Sequence, residues 1–207
     1  MATRRTVTPS PWRHRQGGQE LKREAVLHAA ARAFNTHGFH NTSLDRIAAE
    51  LEVTKPTLYY YFKGKERLLY ACFLAGLAPI LAALNEASED SGPARERLYR
   101  VIARHAEAMA SDFGWCLTRA DDLNLGAELR EHIRQRKSEI DHGLRRLIRA
   151  GIADGSIARC DPKMTALALA GACNGIAHWY RQSRALTPAQ IAAEFITLFE
   201  NGLKPRP

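Results

Sequence analysis

The chain has 207 residues, 45% of them aliphatic or aromatic, with 30 Lys+Arg against 22 Asp+Glu for a formal net charge of +8. That apolar share excludes wholesale disorder and is enough for one large domain or a small one joined to a larger one. Cysteines 72, 116, 160 and 173 form no CxxC pair, which fits a reduced cytoplasmic protein better than a disulfide framework or a zinc site. Positive charge is concentrated at one end. Residues 1–70 hold 12 Lys+Arg against 6 Asp+Glu, a net +6, while residues 71–207 hold 18 against 16, a net +2. A basic segment on an otherwise near-neutral protein points to a polyanionic partner, either nucleic acid or an anionic membrane surface.

In chain order, residues 1–18 read as a flexible basic arm with Arg4, Arg5, Arg13 and Arg15 and no acidic residue. It follows a nucleic-acid backbone or enters a minor groove on one reading, and is a solubilising tail on the other. Arg4 and Arg5 lead into polar residues and prolines, not into the apolar run of a signal peptide. Residues 20–37 then read as a helix with Val26, Ala30, Ala33 and Phe34 on one face. Gly38 offers the left-handed cap, and Phe39 is placed to fold back on the last turn.

Thr42 and Ser43 offer an N-cap to LDRIAAEL, whose stripe is Leu44, Ile47, Ala48 and Leu51. A tight turn follows, and Thr54 caps a second short helix with Pro56 in its first turn, where the missing N–H is harmless. Leu58 and Phe62 face inward one turn apart, so Thr54, Lys55, Thr57 and Tyr59 surround the exposed N-terminal end. Two capped helices across a tight turn make a helix-turn-helix pattern, whose second helix presents such an end to base edges and phosphates. Tyr59, Tyr60 and Tyr61 span too wide an arc for all three to be buried. Tyr60 is either exposed or packed on the first helix. Lys65 opens the next helix.

Residues 68–84, LLYACFLAGLAPILAAL, carry no charge for 17 positions, the lower limit for a bilayer span. Pro79 and the small residues favour a buried helix linking two parts of the protein. Helices follow at about 94–111, at 126–151 with an inner stripe of Leu129, Ile133, Ile140, Leu144, Leu147 and Ile148, and at 162–182 behind Asp161-Pro162. Thr187-Pro188-Ala189-Gln190 is a capping box opening a last helix with Ile191, Phe195, Leu198 and Phe199. Strand and hairpin signals are nearly absent. The expectation is an all-α protein of about nine helices: an arm over 1–18, a three-helix helix-turn-helix domain over 19–66, and a larger helical domain over 67–207.

The run FHNTSLDRIAAELEVTKPTLYYYFKGKERLL resembles the DNA-binding segment of TetR-family transcriptional regulators. The matches are Gly38-Phe39, Thr42-Ser43, Ile47-Ala48, Thr57-Leu58-Tyr59, Tyr61-Phe62 and Lys65-Glu66, within about 50 residues. The resemblance implies that Lys55, Thr57, Tyr59, Tyr61 and Lys65 contact double-stranded operator DNA, with Thr42, Ser43, Thr54 and Tyr60 as further candidates. One departure is Glu52, where the family's turn usually holds glycine. A side chain in a left-handed turn costs on the order of 1 kcal/mol.

The resemblance further implies a homodimer whose larger domain binds a small effector that alters the spacing of the two DNA-binding heads. Independently, TALALAGACNGIAHWY is rich in small residues that allow close helix approach, and with Phe195, Leu198 and Phe199 it suits a four-helix dimer interface, an intrachain core being the alternative. The stretch GACNGIAHWYR…LTPAQIAAEFITLFENGL is similar to TetR regulators that respond to acyl-CoA thioesters. A CoA pocket needs an apolar tunnel with cations at its mouth. Arg130, Arg134 and Lys137 are candidates for the mouth, and Trp115, Asn174, His178 and Trp179 for the interior. The arginines of this segment are equally a solvated face balanced by Glu128, Glu131, Glu139 and Asp141, and His178 equally a satisfied core histidine.

No cofactor, metal or enzymatic site is expected. His37 and His40 flank a helix end without an acidic ligand at useful spacing, and no nucleophile elbow, phosphate loop or Cys/His pair occurs. The rival readings are a helical CoA-ester-binding or -processing enzyme, which predicts turnover, and a nonspecific DNA-binding protein, which predicts steep salt dependence without sequence preference.

Overall fold

A computed structural model describes residues 18–180 and 186–202, so the arm lies outside the described residues except for its last position. Among the described residues there are nine α-helices, one 3-10 turn and no strand. They are α1 (Gln19–His37), α2 (Leu44–Glu50), α3 (Lys55–Tyr61), α4 (Lys65–Glu89), α5 (Ala94–Met109), α6 (Asp112–Arg119), α7 (Ala127–Ala153), α8 (Pro162–Trp179) and α9 (Pro188–Asn201), with the 3-10 turn at Asp122–Asn124. Helices α1 to α3 form a small head, α5 to α9 a larger body, and α4 runs unbroken from one into the other.

Local chemistry sets most helix ends. Gly38 takes φ +76°, a conformation that side chains resist, and the Phe34 and Phe39 rings meet across it at 5.6 Å. Ser43 caps α2 by accepting the Arg46 N–H at 3.1 Å, and Asp161 caps α8 by accepting the Met164 N–H at 2.8 Å. At α9 the Thr187 hydroxyl accepts from Gln190 N–H at 3.2 Å while the Gln190 side chain accepts from Thr187 N–H at 2.8 Å. Helix α5 starts on Pro93 and takes its cap from elsewhere in the chain. The Asp154 carboxylate, beyond the end of α7, accepts the Ala94 N–H at 2.9 Å. Its pKa is lowered by the Ser156 hydroxyl and then by the Ala94 and Ser156 N–H groups.

Helix α4 is long and apolar enough to span a bilayer, but Leu68, Leu69, Phe73, Leu77, Ile80 and Leu84 are packed inside the molecule. Helices α1, α5, α6 and α7 all pack against it, which makes it the central strut. Pro79 lies on its exposed side and leaves the Ala75 carbonyl without a helical donor. Helix α6, which sequence reading did not separate from its neighbours, wedges between α1, α4 and α8. Gly114 permits this, because a Cβ there would lie 2.2 Å from the Ala108 carbonyl oxygen. Asn35 of α1 donates to the Asp112 carbonyl of α6 at 2.8 Å, tying head to body.

Candidate nucleic-acid interface

The second short helix stands on a two-residue apolar footing. Leu58 is 1% exposed and Phe62 7% exposed, and they sit one turn apart against the head. Ala48 of α2 is small where α2 meets α3, and Arg32 of α1 holds Glu50 of α2 at 3.0 Å. The turn between α2 and α3 passes through Glu52 at φ +57°, so the chain adopts there the left-handed conformation that glycine favours. The Val53 N–H closes the turn on the Ala48 carbonyl at 3.0 Å.

What remains outside is hydroxyl-rich and basic. Thr54 is the N-cap residue of α3, although its hydroxyl lies 3.0 Å from that of Thr57 and caps no backbone N–H. One hydroxyl of that pair donates to the other, which leaves a proton for an external acceptor. Ser43 accepts the Arg46 N–H and likewise keeps its own proton. Tyr59 is 48% exposed and Tyr60 70% exposed, with Tyr61 half-buried and its ring edge-on to Tyr60 at 5.0 Å. Of the two readings of Tyr60, the structure shows the exposed one. Its ring faces outward opposite Leu58 and Phe62, while its hydroxyl accepts from Gln19 at the start of α1 at 3.1 Å.

Two expected contact residues are already engaged within the head. Lys55 donates to Asp45 of α2 at 2.8 Å, and this hydrogen bond, then the charge of Asp45, raises the lysine pKa. Lys65 donates to the Phe39 carbonyl at 2.9 Å and the His40 carbonyl at 3.3 Å, with its ammonium 4.3 Å from the Phe39 ring centroid. Beside it, Glu66 accepts the Gly126 N–H, just before α7, at 2.6 Å. Thr42 corrects the sequence expectation. It is 2% exposed, and its hydroxyl donates toward the Gly38 carbonyl at 2.7 Å, so it braces the turn after α1 and has no surface to offer. Exposed Arg46 and Lys63 were not singled out from the sequence.

The expected effector residues do not converge. Trp115 is half-buried on α6 under the Arg119 guanidinium, 5.1 Å from the ring centroid. On α7, Arg130 is half-buried, Arg134 reaches Asp122 at 4.0 Å, and Lys137 is exposed. On α8, Asn174, His178 and Trp179 are exposed. Helical spacing explains this, because 174 and 178 fall on the same stripe as Met164, Leu167 and Gly171, opposite buried Leu169, Cys173 and Ile176. Asn174 nevertheless reaches inward, and its side-chain oxygen lies 2.9 Å from Nε2 of His105, a buried α5 residue. Burial pushes the His105 pKa down to about 4, against the opposing effect of the hydrogen bond its ring donates to the Asn174 oxygen. Two clefts open at the head–body junction. One lies between α1 and α4, with a volume of about 630 Å³. The other lies between the end of α1 and the 3-10 turn, with about 450 Å³. None of the seven expected effector residues lines either cleft.

Residues 26–72 match the family described as bacterial regulatory proteins, tetR family, and residues 91–203 match the tetracyclin repressor-like C-terminal domain. The fatty acid metabolism regulator protein of Bacillus subtilis is 26% identical over 133 residues, 64% of this chain and 69% of that protein. The TetR-family regulator PfmR of Thermus thermophilus superposes with a TM-score of 0.79 at 26% identity, covering 87% of this chain and 99% of that one. AibR, solved in complex with isovaleryl coenzyme A and operator DNA, gives 0.73 at 26% identity over 85% and 96% of the two chains.

Proposed function

The chain belongs to the tetR family of bacterial regulatory proteins, and on that premise we propose that it is a cytoplasmic, homodimeric transcriptional repressor, which acts by binding and not by turnover. The observation that carries the DNA-reading part is the outward side of α3. Its apolar footing is fixed by Leu58 and Phe62, while hydroxyls, a lysine and two exposed tyrosines surround the end that faces away. In this reading Thr54, Lys55, Thr57, Tyr59, Tyr60 and Tyr61 meet the operator, and Ser43 and Arg46 hold phosphates beside them. Lys55 approaches DNA already extended along its Asp45 partner, so a phosphate replaces a carboxylate as acceptor and leaves the lysine charged throughout. Lys65 contributes by fixing the loop before α2, as a support and not as the main contact.

The two heads are joined through the uncovered stripe of α8 together with Leu198 and Phe199 of α9, all exposed in the single chain. Half-sites one DNA turn apart lie roughly 34–36 Å apart, so the dimer fixes which operators both heads can reach. The effector is a small hydrophobic molecule of the acyl-CoA class. Support comes from two similar proteins, AibR bound to isovaleryl coenzyme A and the fatty acid metabolism regulator of B. subtilis.

Fluorescence anisotropy on the DNA upstream of the protein's own gene, against a scrambled duplex, tests both parts. The expected result is specific binding that one class of CoA thioester releases and free CoA does not. Equal binding to both duplexes would remove the repressor reading. Specific binding that no thioester disturbs would remove only the effector class.

A further inference from the structure

The cleft between α1 and α4 has a polarity gradient that the operator-binding surface does not need. At the end beside the head stand three cations, Arg23 of α1, Lys63 after α3, and Arg67 in the first turn of α4. The Arg23 guanidinium lies 5.1 Å from the centroid of the Phe62 ring, and its nearest carboxylate, Glu20, is at 3.7 Å. Among the described residues, neither Lys63 nor Arg67 pairs with a carboxylate. Away from the head the lining becomes apolar, through Leu27 and Ala71 to Leu74, Ala75 and Ala78. From Arg67 to Ala78 the groove follows α4 for ~16 Å at the helical rise per residue. Small side chains at 71, 75 and 78 leave the floor open, and no acidic residue lines any part of it.

We propose that this cleft binds a single-chain amphipathic carboxylate, its head group among Arg23, Lys63 and Arg67 and its alkyl chain laid along α4 toward Ala78. The chemistry fits at both ends. The Lys63 ammonium and the Arg67 guanidinium, which have no carboxylate partner among the described residues, favour an anion, and the apolar floor gains by being covered. A volume of about 630 Å³ is within the range of small-molecule sites. A DNA phosphate would use the cations, but it has no use for an apolar groove leading away from the head. The site is separate from the α6–α8 region expected to hold the effector, and it rests on neither the operator nor the CoA-thioester reading. A chain lodged there touches both α1 and α4, so its occupancy bears on how the head sits against the strut.

Isothermal titration of the full-length dimer with dodecanoate, below the concentration at which it forms micelles, tests the site. Dodecanol and acetate serve as the tail-only and head-only controls. The expected result is saturable binding of one dodecanoate per protomer, with both controls at least about ten-fold weaker. Arg67→Gln, which removes a cation, and Ala75→Trp, which fills the floor, should each weaken dodecanoate at least about ten-fold. Circular dichroism and thermal melting check that each variant is folded. Ala78→Trp, at an exposed position, replaces Ala75→Trp should that variant unfold. Dodecanoyl-CoA is added as competitor. Failure of dodecanoyl-CoA to compete is the expected result, and displacement of dodecanoate by it would replace the free carboxylate by the thioester and overturn the proposal. Absence of saturable dodecanoate binding, equal binding of dodecanol, or unchanged binding in both folded variants would each overturn it. Weakened operator binding in Arg67→Gln, with no dodecanoate bound by the wild type, would assign the cations to the DNA backbone and also overturn it.

Discussion

Helix α3 and helix α8 both leave one side uncovered, yet the two bare sides differ in chemistry. On and beside α3 the outward residues are threonines, tyrosines and a lysine, a set rich in hydrogen-bond donors. On α8 the stripe holds Met164, Leu167 and Gly171, with Asn174, His178 and Trp179 at its far end, so it offers apolar area and close approach with polar groups only toward one end. An uncovered side rich in donors suits a polyanion that remains hydrated. One that is apolar and small suits a second protein surface that excludes water, here another copy of the same side. The apolar residues on each helix's inner side are packed alike, so the contrast lies wholly in what the fold leaves outside.

The comparison breaks most severely at α8. Leu167→Glu puts a charge into the shared face and should convert the dimer to monomer in sedimentation equilibrium. Operator affinity should fall at least about a hundred-fold, because each head then binds its half-site alone. A dimeric Leu167→Glu protein would mean that another surface joins the subunits.

Beneath the same stripe, the His105–Asn174 contact gives a pH signature. Folded His105 stays neutral down to about pH 4, while in the unfolded chain it gains a proton near 6.5. Between those values the unfolded state binds more protons. The stability from keeping this group neutral is therefore complete above pH 6.5 and is lost as pH falls toward 4, by about 3 kcal/mol at most. Urea midpoints should fall more steeply over that window in the wild type than in His105→Gln.

At α3 the expected effects are smaller and confined to DNA. Tyr59→Phe and Lys55→Ala should each weaken the operator by about ten-fold, with thermal unfolding unchanged. Lys55→Ala should also lower the slope of log affinity against log salt by about 0.9, the value for one released phosphate contact. An unchanged slope would mean that Lys55 stays on Asp45 in the complex. The smallest effect is expected in the turn that aims α3. Glu52→Gly relieves a left-handed side chain and should stabilise the head by about 1 kcal/mol in thermal denaturation, an unchanged melting temperature meaning that the interactions of the Glu52 side chain offset the strain.

Features fixed within one turn of helix were legible in the sequence. The Ser43 cap, Pro56 inside α3, the Thr187–Gln190 capping box and the Gly38 conformation all depend on neighbours three or four residues away. The α3 footing was legible because Leu58 and Phe62 share a face. What escaped were polar contacts made across the fold. Thr42 looks like a cap or a DNA contact until the Gly38 carbonyl comes within 2.7 Å of its hydroxyl. Lys55 and Lys65 carry no sign of Asp45 or of the Phe39 carbonyl. Helix α8 was misjudged for another reason. Its small and apolar residues run around both sides, so composition alone did not tell which side holds the core, and Asn174, His178 and Trp179 were assigned inward. Asn174 was the exception within the error, since its side chain does reach His105.

Lys65 and Glu66 are adjacent, yet one is fastened to the loop before α2 and the other to the chain just before α7. They make a fulcrum at the head end of a rigid arm. Helix α4 has 25 residues, so the arm is ~37 Å long at the helical rise. A tilt of about five degrees about that fulcrum sweeps the far end of α4, in the body, through ~3 Å. Displacements of that size in the body therefore reach the head as a rotation of only a few degrees.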